Sequence, residues 1–143
     1  MYLHEFYYDE EISEIIFEAA SNHKVETKTC LEGKDINSSI YLVDVEGRAS
    51  ILSEFPGNCS SLVLSDVQYR PDLMGTPAWR SKILASIDIC ESLSYGALWI
   101  TGTSDQMKDI LVKEYEFEVL EDKLYNPHSY NNNYFLIKRF RKE

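Results

Sequence analysis

The hydrophobic pattern of the N-terminal half predicts a short strand, a helix and then three strands. The segment Tyr2–Tyr8 has aromatic residues on both faces of a strand. Asp9 is a suitable helix N-cap, and the residues that follow place apolar side chains at helical spacing over 10–21. Residues 22–37 are polar and poorly patterned, which favours a loop or a second short helix. The three strands are Ile40–Val45, Ala49–Phe55 and Leu62–Tyr69, the first two joined by a turn at Glu46-Gly47.

The C-terminal half predicts two helices alternating with strands. Thr76 is an N-cap and Pro77 suits the first helical position, and Gly96 marks the end of that helix. Its apolar face is expected to consist of Trp79, Ile83, Leu84, Ile87, Cys90 and Leu93. The remaining predicted elements are a strand Ala97–Thr101, a helix Asp105–Tyr115, a strand Phe117–Leu120 and a last strand Tyr134–Phe140.

This order predicts an α+β fold. A late strand–helix–strand unit that follows an antiparallel meander indicates a mixed sheet with helices on both faces. The two central parallel strands, Leu62–Tyr69 and Ala97–Thr101, are expected to part at one end. The chain has 143 residues and no repeat or low-complexity linker, so we expect a single domain over 1–143.

Charge and composition restrict the function. The net charge of −10 disfavours nucleic acid and anionic membranes as partners. We find no apolar run near the ~20 residues needed to cross a bilayer and no signal peptide, so a cytoplasmic location is expected, or the virion if a phage encodes the chain. The cysteines (Cys30, Cys59, Cys90) and histidines (His4, His23, His128) are scattered, and no metal site is predicted.

The stretch from Val67 to Glu118 resembles the acyl-CoA core of the GNAT (N-acetyltransferase-like) family. A strand leads into the loop Asp72–Pro77, which opens a long helix, and Glu116-Phe117 stands where the family has Gly-Phe. In the family, the backbone of this loop binds the pyrophosphate of acyl-CoA at the helix N-terminus. The resemblance therefore implies acetyl-CoA as cofactor if the chain is active. The cofactor-binding candidates are Met74, Gly75 and Thr76.

Three positions depart from the family pattern. Asp72 stands in place of an Arg or Gln and would repel pyrophosphate, and Pro77 has no N–H to donate. Val112 stands at the position of the tyrosine that commonly acts as general acid, and its side chain cannot transfer a proton. The remaining catalytic candidates are Asp66, as a base acting through water, and Tyr115, whose spacing also fits a core position.

Three short segments resemble a small GNAT-like protein of short-tailed podophages that is associated with the virion and its morphogenesis. They are Gly57–Cys59, Ser65–Arg70 and Leu98–Ser104. This resemblance implies protein partners among virion components.

Three functions remain open. The first is a non-catalytic GNAT-fold protein that binds other proteins in phage assembly, which the departures and the podophage-like segments favour. The second is an acetyl-CoA-dependent N-acyltransferase with an atypical phosphate loop, for which an acidic surface would suit a cationic amine acceptor. The third is an antagonist of a DNA-binding protein that mimics nucleic acid, and it rests on the net charge of −10.

Overall fold

The computed structural model describes residues 1–30, 38–55, 58–66, 71–73, 75–103, 105–120 and 134–140, with the backbone alone at 58, 59, 66, 71 and 101–103. Three α-helices and seven strands lie within these ranges. In chain order they are α1 (Glu10–Ser21), β1 (Glu26–Thr29), β2 (Ser39–Val43), β3 (Ala49–Phe55), β4 (Asn58–Asp66), α2 (Pro77–Ser92), β5 (Ala97–Thr103), α3 (Asp105–Tyr115), β6 (Glu118–Leu120) and β7 (Tyr134–Arg139).

The seven strands form one mixed sheet in the order β1-β2-β3-β4-β5-β7-β6. Every neighbouring pair is antiparallel except β4 and β5, which are parallel and are connected through α2. The predicted α+β fold with a mixed sheet is therefore confirmed. None of the helices in the described ranges is long and apolar enough to cross a membrane.

The N-terminal segment differs from its prediction. Instead of a strand over Tyr2–Tyr8, Leu3–Tyr7 forms a 3₁₀ helix. Leu3 is fully buried and its N–H donates to the hydroxyl of Tyr95 at 2.8 Å. Since aromatic residues on both faces do not distinguish a strand from a tight helical turn, this segment is set by its tertiary contacts.

A strand that the sequence pattern did not predict lies within 22–37. β1 (Glu26–Thr29) pairs with β2 alone and forms one edge of the sheet. Its side chains are mostly exposed, so it lacks the apolar alternation by which a half-buried strand is recognised.

The caps of α1 and α2 are those that the sequence predicts, but the end of α2 is not. Asp9 accepts the N–H groups of Glu11 and Ile12 at the start of α1. Helix α2 ends at Ser92, and Ser94 takes the left-handed conformation (φ +62°) in place of Gly96. Gly96 instead bonds to the carbonyl of Ser60 through its N–H at 2.8 Å, next to the start of β5.

The core lies between the three helices and one face of the sheet, which we call the covered face. Its strand residues share side-chain direction and are nearly inaccessible: Ile40, Leu42, Leu52, Leu62, Leu64, Leu98, Ile100 and Leu136. The buried residues of α1, α2 and α3 belong to the same cluster. Where the sequence predicts helices on both faces, the described helices thus lie on one.

The buried side of α2 is wider than the predicted apolar stripe. Lys82, Ser86 and Ile89 are buried, whereas Leu84 is 39% exposed and Ile87 is half-buried. The reason is that α2 packs against both the sheet and α1, so two of its sides are enclosed. The prediction of a fully buried Ile87 is therefore wrong.

Candidate functional site

The two central strands part where the sequence analysis expects a cofactor. The parallel register joins Ser61–Leu64 to Ala97–Ile100 and ends there, although β4 continues to Asp66 and β5 to Thr103. Beyond Leu64 each strand remains paired with its outer neighbour, β4 with β3 and β5 with β7. The described ladder therefore opens between β4 and β5 at their carboxyl ends, the edge from which α2 and α3 begin.

Gly75 and Thr76 shape the described part of the loop before α2. Gly75 has a φ of +82°, which a glycine adopts without strain. A Cβ at this position would approach the Cδ1 atom of Ile110 on α3 to 3.2 Å. The hydroxyl of Thr76 donates to the carbonyl of Leu73 at 2.8 Å and accepts the N–H of Trp79 at 3.3 Å. The turn conformation thus favours glycine at position 75, and a Cβ there would require the side chain of Ile110 to shift by a few tenths of an ångström.

Few N–H groups remain at the start of α2. The N–H of Thr76 donates to the carbonyl of Leu73, and that of Trp79 donates to the hydroxyl of Thr76. Pro77 is the first residue of the helix and has no N–H. Among the hydrogen bonds of the described residues, the N–H of Ala78 alone in this first turn has no acceptor.

Arg80 connects this loop to α3. Its Nε donates to the carbonyl of Gly75 at 2.7 Å, and its Nη1 donates to the carboxylate of Glu114 at 2.8 Å. Glu114 and, to a smaller extent, the side chain of Tyr115 raise the pKa of Arg80. The cation of Arg80 is therefore held by a carboxylate and a carbonyl.

The end of α3 keeps a feature of the Gly-Phe position. Glu116 stands where the GNAT pattern has glycine, and its φ of +61° is left-handed, a conformation that favours glycine. Tyr115 is half-buried and packs against the core, and its carbonyl accepts Lys138 Nζ at 2.8 Å. Val112 is 37% exposed on α3.

The structure brings some of the predicted site residues together and leaves others apart or outside the described atoms. Gly75, Thr76 and Tyr115 come together around Arg80. Asp72 is exposed on a 3₁₀ turn, Pro71–Leu73. Asp66 is the last residue of β4, with its side chain outside the described atoms, and Met74 lies outside the described residues. The assignments of Asp66, Met74, Gly75, Thr76 and Tyr115 stay predictions.

Arg80 and Glu114 were missed by the sequence analysis. A signal for Arg80 was present: helical side chains point toward the N-terminus, so a long cation four residues after the N-cap Thr76 reaches back to the loop. No comparable signal identifies Glu114, because its contact with Arg80 joins residues 34 apart in the sequence.

The two described histidines, His4 and His23, lie in separate pairs. His4 lies 2.8 Å from Glu54 and His23 lies 3.1 Å from Asp88. Cys30 and Cys90 are buried. Over the ranges that the structure describes, no three His, Cys, Asp or Glu side chains are grouped to hold a metal ion.

No family model matches the sequence, and no curated protein matches it. Among solved structures, the chain is similar to an acetyltransferase of the GNAT family from Staphylococcus aureus Mu50. The two share 12% sequence identity at a TM-score of 0.47, over 94% of this chain and 94% of that one.

Proposed function

We propose that this chain is a GNAT-type domain that does not use acyl-CoA and acts by binding protein, as a structural component in phage virion assembly. The observation that carries the first part is the state of the loop before α2. The N–H groups of Thr76 and Trp79 and the guanidinium of Arg80 already have partners within the chain.

A pyrophosphate needs several donors directed at it. Helix N-termini bind phosphate because their first N–H groups are free to donate. Here Pro77 lacks that group, and the N–H groups of Thr76 and Trp79 are used within the loop. A bound pyrophosphate would have the amide of Ala78 as the remaining donor of the first turn, which supports a loop that does not bind the cofactor.

The electrostatics of the loop support the same proposal. The guanidinium of Arg80 already bonds to the carboxylate of Glu114 and the carbonyl of Gly75, so its charge is partly offset within the chain. A phosphate bound to Arg80 would lie near the carboxylate of Glu114, with Asp72 on the same loop. Two like charges at close range raise the free energy of the complex unless a cation lies between them.

The assembly role is supported by the resemblance of three segments to a virion-associated GNAT-like protein of podophages. We expect mass spectrometry of purified particles or of assembly intermediates to detect the chain in a fixed ratio to the major structural proteins. Its absence from both would contradict this part of the proposal.

One observation favours the alternative, an acetyl-CoA-dependent N-acyltransferase with an atypical phosphate loop. Among the described residues, β4 and β5 are not paired with each other beyond Leu64 and Ile100, which leaves backbone groups of both strands to an extended ligand. Such groups could polarise a thioester carbonyl. This candidate needs affinity from the strands alone, without the loop.

Calorimetry with acetyl-CoA at near-physiological salt separates the two. We expect no measurable heat of binding at millimolar ligand, a range in which a Kd of ~1 mM corresponds to about −4.1 kcal/mol. The matched variant Asp72→Arg with Pro77→Gly removes a negative charge and restores an N–H, and it is expected to bind weakly. Turnover is not expected from it, since Val112 supplies no general acid.

Micromolar binding by the unmodified protein, together with acetylation of an amine, would overturn the proposal in favour of the enzyme. Failure of the double variant to bind, with an unchanged circular dichroism spectrum, would show that Asp72 and Pro77 are not what prevents binding.

A further inference from the structure

The second face of the sheet, which we call the open face, is apolar across five strands. Its residues follow from the register: Tyr41 on β2, Ile51 on β3, Val63 on β4, Trp99 on β5 and Ile137 on β7. Four of these side chains are half-buried, and Ile137 is buried at 4% exposure. None of the five belongs to the core cluster. No helix packs on this face in the part of the chain that the structure describes.

The centre of the open face is aromatic. The ring of Trp99 lies 5.1 Å from that of Phe55 and 5.7 Å from that of Phe135, the latter edge-on. The indole N–H of Trp99 has no acceptor among the described residues. A tryptophan N–H ordinarily finds an acceptor when it is buried, which is one reason for the enrichment of tryptophan in interfaces.

The charged side chains that the structure describes on the open face are paired with opposite charges. At the β1 edge Lys28 lies 4.0 Å from Glu26, and at the opposite edge Arg139 lies 2.5 Å from Glu118. These four side chains point to the same side as Tyr41 and Ile137, by the pairing of the strands. Over the described residues this face is therefore neutral, on a protein whose net charge is −10.

The helical surface has the opposite character. Helix α1 exposes the acidic residues Glu10, Glu11, Glu14 and Glu18, with no basic residue in its last turn. Two copies that met through this surface would place carboxylates against carboxylates. Of these two described surfaces, the open face is the one on which two acidic copies meet with less repulsion.

We propose that the open face binds a second copy of this chain, forming a symmetric dimer in which the two sheets pack face to face. A two-fold interface joins a patch to itself, which an apolar and neutral patch permits. Each charged edge has one cation and one carboxylate, so either edge can oppose either edge of the partner without net repulsion. Packed sheets lie about 10 Å apart with interdigitated side chains, as the aromatic centre would allow.

This dimer is independent of the cofactor loop, which lies at the carboxyl ends of β4 and β5, so the proposal goes beyond the proposed function. Sedimentation velocity of the full chain, from micromolar to near-millimolar concentration, tests it. We expect a concentration-dependent shift from the monomer mass of 16.6 kDa to twice that mass.

Two matched lysine substitutions locate the interface. Ile51→Lys puts a charge at the centre of the open face and is expected to raise the dimer dissociation constant at least tenfold. Leu84→Lys puts the same charge on the exposed side of α2 and is expected to leave it unchanged. Circular dichroism and thermal unfolding of each monomer establish whether both variants are folded. If Ile51→Lys is not folded, Ile51→Thr, which keeps the branched shape, replaces it in the test.

Three outcomes overturn the proposal. The first is a monomer at every concentration. The second is a dimer that Ile51→Lys and Ile51→Thr both leave intact, and the third is a dimer that Leu84→Lys dissociates, which would place the interface on the helical side. Whether the protein binds acetyl-CoA changes none of these results. The dimer proposal and the proposed function can therefore fail independently of each other.

Discussion

Tyr95 fixes the N-terminal segment through one buried hydrogen bond. Its hydroxyl accepts the N–H of Leu3 at 2.8 Å, and both residues are nearly inaccessible. Tyr7 holds the other end of the 3₁₀ helix: its hydroxyl donates to the carbonyl of Ser39 and accepts the N–H of Cys30. Hydrogen bonds to two tyrosine hydroxyls, instead of strand pairing, therefore hold this segment in place.

We predict that Tyr95→Phe destabilises the protein by about 1–3 kcal/mol, because the buried N–H of Leu3 is left without an acceptor. The measurement is the free energy of unfolding in urea. Tyr8→Phe is the matched control, since its side chain is 73% exposed, and it should change the free energy by less than about 0.5 kcal/mol. Equal effects of the two substitutions would contradict the role given to Tyr95.

At the residue scale, the sequence predicts what depends on neighbours along the chain. The caps Asp9 and Thr76 are recognisable because each acts on amides within three residues. The partners of Arg80 and Tyr95 are not, because Glu114 and Leu3 are brought to them by the fold. The sequence therefore predicted the loop of the candidate site but did not identify Arg80 as its cation.

A buried ion pair joins helix α2 to the turn between β2 and β3. Lys82 Nζ lies 3.4 Å from a carboxylate oxygen of Asp44, with the two side chains 7% and 2% exposed. The other carboxylate oxygen of Asp44 accepts the N–H groups of Glu46 and Arg48. Asp44 thus shapes the turn and binds the helix at once.

We predict that Asp44→Ala costs about 3–5 kcal/mol, because it leaves the ammonium of Lys82 buried without a carboxylate. Lys82→Met should cost less, since Asp44 keeps two N–H donors. The double variant should be more stable than the sum of the two changes implies. Urea unfolding of all four proteins measures this cycle, and additivity within about 0.5 kcal/mol would show that the pair is not coupled.

At the element scale, the prediction succeeds where an element has one polar and one apolar side. Helices α1 and α3 have the expected bounds because each faces the core with a single stripe. Helix α2 is enclosed on two sides, and β1 is exposed on both, so a single apolar stripe describes neither. The burial of Lys82 requires Asp44, which the periodicity of α2 gives no means of finding.

The topology of the whole molecule follows from the order of its elements. The order predicts a parallel pair joined through a helix, and β4, α2 and β5 form one, whereas β5 and β6 lie on either side of β7 and do not pair. The face on which each helix lies is not fixed by that order. The apolar open face was not predicted for this reason. A strand with alternating polar and apolar residues shows which side faces the core, but these strands are apolar on both sides.

The stability of the whole molecule is predicted to fall in alkaline solution. Burial raises the pKa of Tyr95, of Tyr7 and of the Cys90 thiol. In each case the folded protein keeps a proton that the unfolded chain releases near its ordinary pKa, about 8.5 for cysteine and about 10 for tyrosine. The stabilisation is therefore complete below about pH 8.5 and is lost as the pH rises above it.

Urea unfolding between about pH 7 and pH 11 measures this loss, at up to about 1.4 kcal/mol per pH unit for each of the buried groups of Tyr95 and Cys90 and less for the partly exposed Tyr7. Further ionisation of a chain that already has a charge of −10 also destabilises the folded state, through repulsion between like charges. High salt screens this repulsion but does not remove the effect of burial on the pKa values. The slope above about pH 10 should therefore persist in high salt and become shallower in Tyr95→Phe. A free energy of unfolding that stays constant across this range, or an unchanged slope in Tyr95→Phe, would show that the Tyr95 hydroxyl is not buried against Leu3 in solution.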